Sequence, residues 1–538
     1  MDRREFLGKV GAGTLGGWLA GQAHLAQGAL EQAEARGEPR KAEGRPNVLI
    51  IMCDQLNARV LGCYGGDVPT ANIDRLAREG VLFTDATCPW PVCSPTRASL
   101  ITGLYPHTHG ITYNVNRRDY PAIKPPASDE GIKASDITAE KLLYELGYQT
   151  HHYGKWHLMD EDLPYYRDMF GEHREYMQIM ARTFDEVRKR PREQWMDWYD
   201  WALPVTVSPA LQKAVRSLGD RWNGKRYSEF ITKMGRLDLP LEQDFDVQVA
   251  DRTIACLRRL GRAPFMVTCS FNHPHDPNVA SSPYYEMFLP EKIRLPANYG
   301  KRESRFEKDW SRQIVADLGE PGLREFLRIY YGCVKKIDDL VGRILRALDE
   351  TGRADNTIVL FTADHGDMAG GHGMVWKSTS AFYDEIVRVP LIIRYPAKVK
   401  PARMSIAACL TDVMPTLLNL VGCPIPAHVQ GHSLAPYLRG QKDLDQAAAY
   451  TFSERLVANE THARKVAPDT PGSFMVRGRG WKHIRYRGND EYLYDLVRDP
   501  GETKNLANDP AFQEWKKQLR RELENWLLTT GFPERRTP

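Results

Sequence analysis

The chain has 538 residues, enough for one large domain with a smaller companion or for two to three ordinary domains. Its 42% hydrophobic and 26% charged residues are the mix of a soluble globular protein. A net charge of +4 over this length, with no basic block, zinc-ligand spacing or RNA-binding signature, argues against a nucleic-acid partner.

The N-terminus carries Arg3-Arg4, then Phe6-Leu7, then a weakly apolar Gly/Ala-rich run to Ala29. The run is too short and too rich in glycine for a membrane span. It resembles a bacterial twin-arginine export signal, departing from the pattern where Gly8 separates Leu7 from Lys9. Residues 1–29 are therefore expected to be a signal peptide, residues 30–44 a polar linker, and the mature protein periplasmic or extracellular; a disordered cytoplasmic tail is the alternative. Nine scattered cysteines, an odd number, form no disulfide framework. That fits twin-arginine cargo, which folds in a reducing cytosol before the export machinery moves it.

Residues 47–53, NVLIIMC, form a short apolar, β-branched run and predict a buried parallel strand ending at Asp54. Residues 70–80 predict a helix with Thr70 as N-cap and Gly80 as stop. The segment CPWPVCSPTRASLITG, 88–103, has prolines at 89, 91 and 95 and then good helix formers from about residue 96. Ser94 or Cys93 would sit near the N-cap, with Pro95 at or near the first helical position. Such a helix start attracts anions, and Arg97 is a fixed cation beside it. The competing reading of Cys93 is a buried structural thiol.

Helical ITAEKLLYELGY, 137–148, precedes QTHHYGKW. Residues 160–239 are irregular, aromatic and basic. Trp195, Trp198 and Trp201 recur there every third residue, a helical stripe that is either core or the wall of a cleft. A strand follows at 264–271, a long amphipathic helix at 326–349, and strands at 356–364 and 388–396. This alternation predicts an α/β domain over residues 45–440, a large mostly parallel sheet sandwiched by helices. From residue 441 to 538 the pattern is a smaller α+β unit: strands, a turn at Asp499-Pro500-Gly501, and a closing helix at 512–527.

In open parallel sheets chemistry gathers beyond the carboxyl ends of the strands. Asp54-Gln55, residues 273–275 and Asp364-His365 all fall there. Two carboxylates, an amide oxygen and an imidazole suit a hard divalent cation. Lys155 and His157 in HYGKWHL, His275 in NHPHDP, and His372 and Lys377 in GGHGMVWKS supply cations and proton carriers around it. An anionic ester is the substrate that such a set requires.

Cys93-Ser94-Pro95-Thr96-Arg97 followed by ASLITG resembles the signature of formylglycine-dependent sulfatases of the alkaline phosphatase superfamily. The resemblance runs from NVLIIMCDQ through LGCYGG, HHYGKWHL, SFNHPHDP, TADHGDMAGGHG and LTDVMPTLLNLVG to LYDLVRDPGETKNLA, nearly the whole mature chain. It implies an alkaline-phosphatase-like fold and an enzyme that cleaves sulfate esters. It also implies that a separate maturation enzyme, reading the unfolded motif, oxidises Cys93 to formylglycine (3-oxoalanine). The aldehyde hydrate carries two hydroxyls: one attacks sulfur, and deprotonating the other releases sulfate and restores the aldehyde.

By motif position, Asp54, Gln55, Asp364 and His365 would bind one divalent cation together with the modified Cys93. Calcium is common in the family; the amide at Gln55, where many relatives have aspartate, leaves magnesium and manganese open. Arg97 and Lys155 would orient the hydrate, and His157 would be its base. His275 and Lys377 would contact the sulfate and protonate the leaving oxygen. His372 would touch substrate or make a structural hydrogen bond. The rival functions are a phosphate or phosphonate ester hydrolase on the same scaffold and a non-catalytic sulfoglycan-binding protein. The export signal and the aromatic, Arg-rich insertion point to sulfated carbohydrate rather than a small sulfated metabolite.

Overall fold

The computed structural model describes residues 44–112, 114–115, 131–158, 165–166, 168–170, 195–198, 201–218, 234–301, 303–306, 309–377, 381–456, 472–488 and 490–532. The expected signal peptide, residues 1–29, and the linker up to residue 43 lie outside them, as does much of the 160–239 segment.

Eight strands make the central sheet: β1 (Asn47–Asp54), β2 (Val81–Thr87), β3 (Gln149–Gly154), β4 (Asp168–Phe170), β8 (Phe265–Pro274), β10 (Thr357–Ala363), β11 (Leu391–Arg394) and β12 (Ala402–Cys409). Their order is β12-β2-β11-β10-β1-β8-β3-β4. Only β11 runs against its neighbours β10 and β2; the other pairings are parallel. The expected α/β class with a mostly parallel sheet is the class observed. Every residue of β1 and β10 is buried, which is why both read as unbroken apolar runs.

A small second sheet holds β5 (Trp195–Trp198), β6 (Trp201–Val207), β7 (Gly235–Leu237) and β9 (Val279–Ser281). The tryptophan repeat is thus no helical stripe. Trp195 and Trp198 are the two ends of β5, and Trp198 pairs with Trp201, the first residue of the antiparallel β6, so the spacing of three runs along one strand and then across to the next. The C-terminal sheet is antiparallel: β13 (Thr451–Leu456), β14 (Gly472–Gly478), β15 (Trp481–Arg485) and β16 (Glu491–Asp495). The closing helix Gln513–Thr529 packs on it through Leu519, Leu523 and Trp526.

Three local expectations are corrected. The long helix begins at Trp310, not at residue 326, and runs to Glu350 through a break at Gly319 (φ 63°) before Pro321. Those two residues hid its first turns from a periodicity reading. Thr70 occupies the N-cap position of helix Ala71–Glu79 without capping it: its hydroxyl bonds the Asp74 carboxylate and accepts from Gly62 N. The Cys93 helix spans Cys93–Thr102 with Val92 as N-cap, so Pro95 stands third in the helix. Its missing N–H costs nothing there either, because the first-turn donors have no intrahelical partner.

Candidate active site

Four parallel strands deliver their carboxyl ends to one place. β1 ends in Asp54, β10 leads into Asp364-His365, β3 leads into Lys155 and β8 into His275. Gly154 allows β3 to approach β8: a Cβ there would stand 1.9 Å from the Ser270 carbonyl oxygen, which accepts from Lys155 N at 2.9 Å. Helix Cys93–Thr102 is buried along its whole length and brings Cys93 and Arg97, four residues apart, to the same face. Its anion-binding start is partly used internally, since Ser94 N donates to Asn114 Oδ1 at 3.2 Å.

Arg97 fixes the acids. Its Nε donates to Asp364 Oδ2 at 2.9 Å and its Nη2 to Asp54 Oδ2 at 3.2 Å, while Nη1 reaches the Lys155 carbonyl and Ser270 Oγ, each at 2.8 Å. Lys155 Nζ pairs with Asp54 Oδ2 at 2.7 Å and lies 3.9 Å from Cys93 Sγ. Lys377 Nζ stands 3.6 Å from the same sulfur and 2.7 Å from His275 Nε2. His365 Nε2 is 3.3 Å from the sulfur.

Burial pushes the Asp54 carboxyl up, but Lys155, His275, Arg97 and His365 pull harder and hold it well below the usual range. Asp364, equally buried and beside that charge, is pushed up. Burial and Asp54 raise the Cys93 thiol, and Lys155, Lys377 and His365 outweigh them, so the position favours an anion. Lys377 would be lowered by burial, yet Cys93 and Asp54 keep it raised and charged.

These residues fit a hard divalent cation. Ligand atoms of Asp54, Cys93, Asp364 and His365 all lie within 4.8 Å of one another. His365 Nδ1 lies 2.9 Å from the Gly366 carbonyl, an acceptor only, which puts the hydrogen on Nδ1 and a lone pair on Nε2. Gln55 Oε1 is buried and meets no donor among the described residues, the state expected of a ligand oxygen. Gln55 itself takes a left-handed φ of 63°, unusual for glutamine, with its carbonyl held by Tyr330 Oη at 2.8 Å. A second acidic group, Asp244, Asp246 and His273, is differently filled: the Lys336 ammonium sits 2.7 Å from Asp244 and 3.3 Å from Asp246.

The structure thus brings Asp54, Cys93, Arg97, Lys155, His275, Asp364, His365 and Lys377 together. Two expected residues stand differently. His157 is tied in through its backbone, its carbonyl accepting from Ser94 Oγ at 2.7 Å, with φ at 56°. His372 stacks on Tyr383 with ring centroids 3.7 Å apart, and its charged neighbours are Glu385, Arg59, Arg312 and Lys482, none of them in the Cys93 cluster. Among the described residues neither ring nitrogen of His372 makes a hydrogen bond, so the stacking on Tyr383 is its observed side-chain contact.

The sequence reading missed Asp367. Its Oδ2 accepts from Gln55 Nε2 at 2.7 Å, and its Oδ1 accepts from Ala369 N at 2.7 Å and Trp376 N at 3.0 Å. The signal that could have found it was a second acidic residue, three positions after Asp364, within the Gly-rich DHGDMAGGHG loop.

Comparison with known proteins agrees with this geometry. The family profile described as sulfatase matches residues 46–423, and that described as N-sulphoglucosamine sulphohydrolase, C-terminal, matches residues 370–528. A delta 4,5-hexuronate-2-O-sulfatase of Bacteroides thetaiotaomicron is 30% identical over 519 residues, covering 91% of this chain and 90% of the relative. Among solved structures, a 2-O GAG sulfatase is similar at a TM-score of 0.65 and 26% identity, over 91% of this chain and 93% of that one. A phosphonate monoester hydrolase of Agrobacterium radiobacter shares the fold at a TM-score of 0.70 and 24% identity, over 90% of this chain and 96% of its own.

Proposed function

The chain belongs to the sulfatase family and is a sulfuric ester hydrolase, and from that premise we propose that it removes sulfate from sulfated carbohydrates after export, using a formylglycine made from Cys93 and one divalent cation, calcium in the first instance. The observation that carries the reading is the ring of cations on one sulfur: Lys377 Nζ at 3.6 Å and Lys155 Nζ at 3.9 Å, with Arg97 behind. A sulfate group on Cys93 would have its charge met on two sides.

Cys93 Sγ marks where the hydroxyl oxygens of the hydrated formylglycine would stand. A cation held by Asp54, Gln55, Asp364 and His365 would supply Lewis-acid charge, favouring the deprotonated nucleophile. The chain's own residues do the rest. Arg97 keeps Asp54 and Asp364 in register with each other. Lys155 bridges Asp54 and the nucleophile position.

Leaving-group protonation falls to Lys377. The His275 Nδ1 is 2.7 Å from the Asp276 carbonyl, so it carries the ring's hydrogen and Nε2 accepts from the lysine ammonium. His275 therefore holds Lys377 in place, and the neutral amine left after the transfer takes its next proton from solvent. His157, two residues beyond Lys155, is the base assigned to the nucleophile's remaining hydroxyl.

The similar relative named for a hexuronate 2-O-sulfate supports a sulfated sugar as substrate. Phosphonate or phosphate ester hydrolysis is the second reading, favoured by the shared fold and by the uncharged Gln55 among the ligands. The test is release of sulfate from a panel of sulfated mono- and oligosaccharides, run beside aryl phosphate and phosphonate monoesters. A kcat/KM for some sulfated sugar well above those for the phosphorus esters is expected. The reverse order would replace the sulfatase reading with the second one.

A further inference from the structure

A glutamine that ligates a cation must present its oxygen and not its nitrogen, and the two ends of an amide have nearly the same shape. Something must choose between them. At Gln55 the choice is made by Asp367. Its Oδ1 is occupied by two backbone donors, Ala369 N at 2.7 Å and Trp376 N at 3.0 Å, and its Oδ2 lies 2.7 Å from Gln55 Nε2. With both backbone donors on Oδ1, Oδ2 of the carboxylate is left to accept, so the amide nitrogen points to Asp367. Oε1 is left on the other end of the amide, buried and without a donor among the described residues.

We propose that Asp367 is a positioning residue for the cation, orienting the Gln55 amide oxygen as a ligand, and that through Trp376 it ties this ligand to the turn that carries Lys377. The proposal rests on the reading of Gln55 as a cation ligand. Both atoms of the carboxylate matter. One aims the ligand; the other fixes residues 369 and 376, which take left-handed φ values of 43° and 58° and close the loop just before Lys377. Asn57 Nδ2, donating to the Asp367 carbonyl at 2.8 Å, anchors the same residue from the β1 side. The pairing also explains why an amide suits position 55 in this chain: a carboxylate there would face the Asp367 carboxylate at hydrogen-bond distance, with no donor between them.

The arrangement makes a swap test possible. In Asp367→Asn the two backbone donors retain the side-chain oxygen and turn its NH2 toward Gln55, where donor meets donor. Gln55 then rotates and offers nitrogen to the cation. In Gln55→Glu two carboxylates meet. In the double variant Gln55→Glu/Asp367→Asn, the asparagine NH2 donates to one glutamate oxygen and the other faces the cation.

Calcium binding to the full-length protein, measured by calorimetry after chelator stripping, should be about ten- to a hundred-fold weaker in each single variant. It should recover to within a few-fold of the parent in the double variant. Melting temperatures of the stripped proteins read any plain loss of folding. Unchanged calcium affinity in Asp367→Asn overturns the inference, as does a double variant no better than the worse single one. If the parent itself binds no divalent cation, the underlying ligand reading of Gln55 fails instead.

Discussion

Lys377 Nζ and His275 Nε2, from segments 102 residues apart in sequence, stand 2.7 Å apart with the lysine also 3.6 Å from Cys93 Sγ. The imidazole accepts and the ammonium donates, so the pair keeps a charged proton donor beside the position where a departing alcohol would leave.

This pairing predicts a dependence on the leaving group. A sugar hydroxyl needs a proton to depart, whereas nitrophenolate hardly does. Lys377→Ala should lower hydrolysis of a sugar sulfate by about a hundred-fold or more, and of nitrophenyl sulfate by about ten-fold or less. His275→Ala should follow the same order with a smaller gap. Steady-state kinetics on both substrates decide it; equal losses would mean that the two residues bind sulfate and another group is the acid.

Cys93 should be found as formylglycine when the protein is made alongside a maturation enzyme. Mass spectrometry of the peptide spanning residues 88–103 should show the lighter aldehyde. Cys93→Ser should lose nearly all turnover, because a serine ester of sulfate lacks the second hydroxyl that expels it. Full activity with an intact thiol would sink the proposed nucleophile.

Removal of Asp364 should separate cation from fold. Asp364→Ala takes away one proposed ligand carboxylate and the 2.9 Å partner of Arg97, leaving the buried guanidinium with Asp54 as its remaining carboxylate beside the Lys155 carbonyl and Ser270 Oγ. The expected outcome is a protein that no longer retains a divalent cation through gel filtration and has no sulfatase activity. Elemental analysis checks it, and undiminished cation content would remove Asp364 from the ligand set.

His109 should make the protein acid-sensitive. Its Nδ1 accepts from Ile111 N at 3.1 Å and its Nε2 lies 3.0 Å from Ser99 Oγ, and burial, helped by the His107 charge, pushes it down to about 3. The unfolded histidine takes up a proton near its ordinary value of about 6.5, so between there and about 3 only the unfolded state is protonated. Stability from this residue is present above that window and is lost as pH falls through it, by at most about 1.4 kcal/mol per pH unit. In His109→Gln the melting temperature should fall less steeply between pH 6.5 and 5 than in the parent. Parallel slopes would show that His109 is not the sensor.

The strands that carry the site were legible because a parallel sheet covered on both faces needs unbroken apolar runs, and the acids at their ends interrupt those runs abruptly. Asp54 and Asp364 stand out for that reason. The Trp195–Trp198–Trp201 repeat misled because a spacing of three fits a helix face and equally the two ends of one short strand followed by the start of its antiparallel partner. Asp367 was invisible for a different reason: its meaning lies in an amide 312 residues away, and no local spacing encodes which end of that amide it holds. His372 shares a loop with Lys377, yet a left-handed backbone at φ 53° turns it toward Tyr383.

Cys93 is 0% exposed, in the first turn of a helix every residue of which is buried. An enzyme that must grip this segment in extended form has no access once the helix has docked. On the formylglycine reading proposed above, maturation and folding would compete for each newly made chain. A chain that folded first would keep the buried thiol and lack the proposed nucleophile. The active fraction of a preparation then reports a ratio of two rates, and slowing folding, by lower temperature or by loosening the packing of that helix, would raise specific activity without changing a single group in the site.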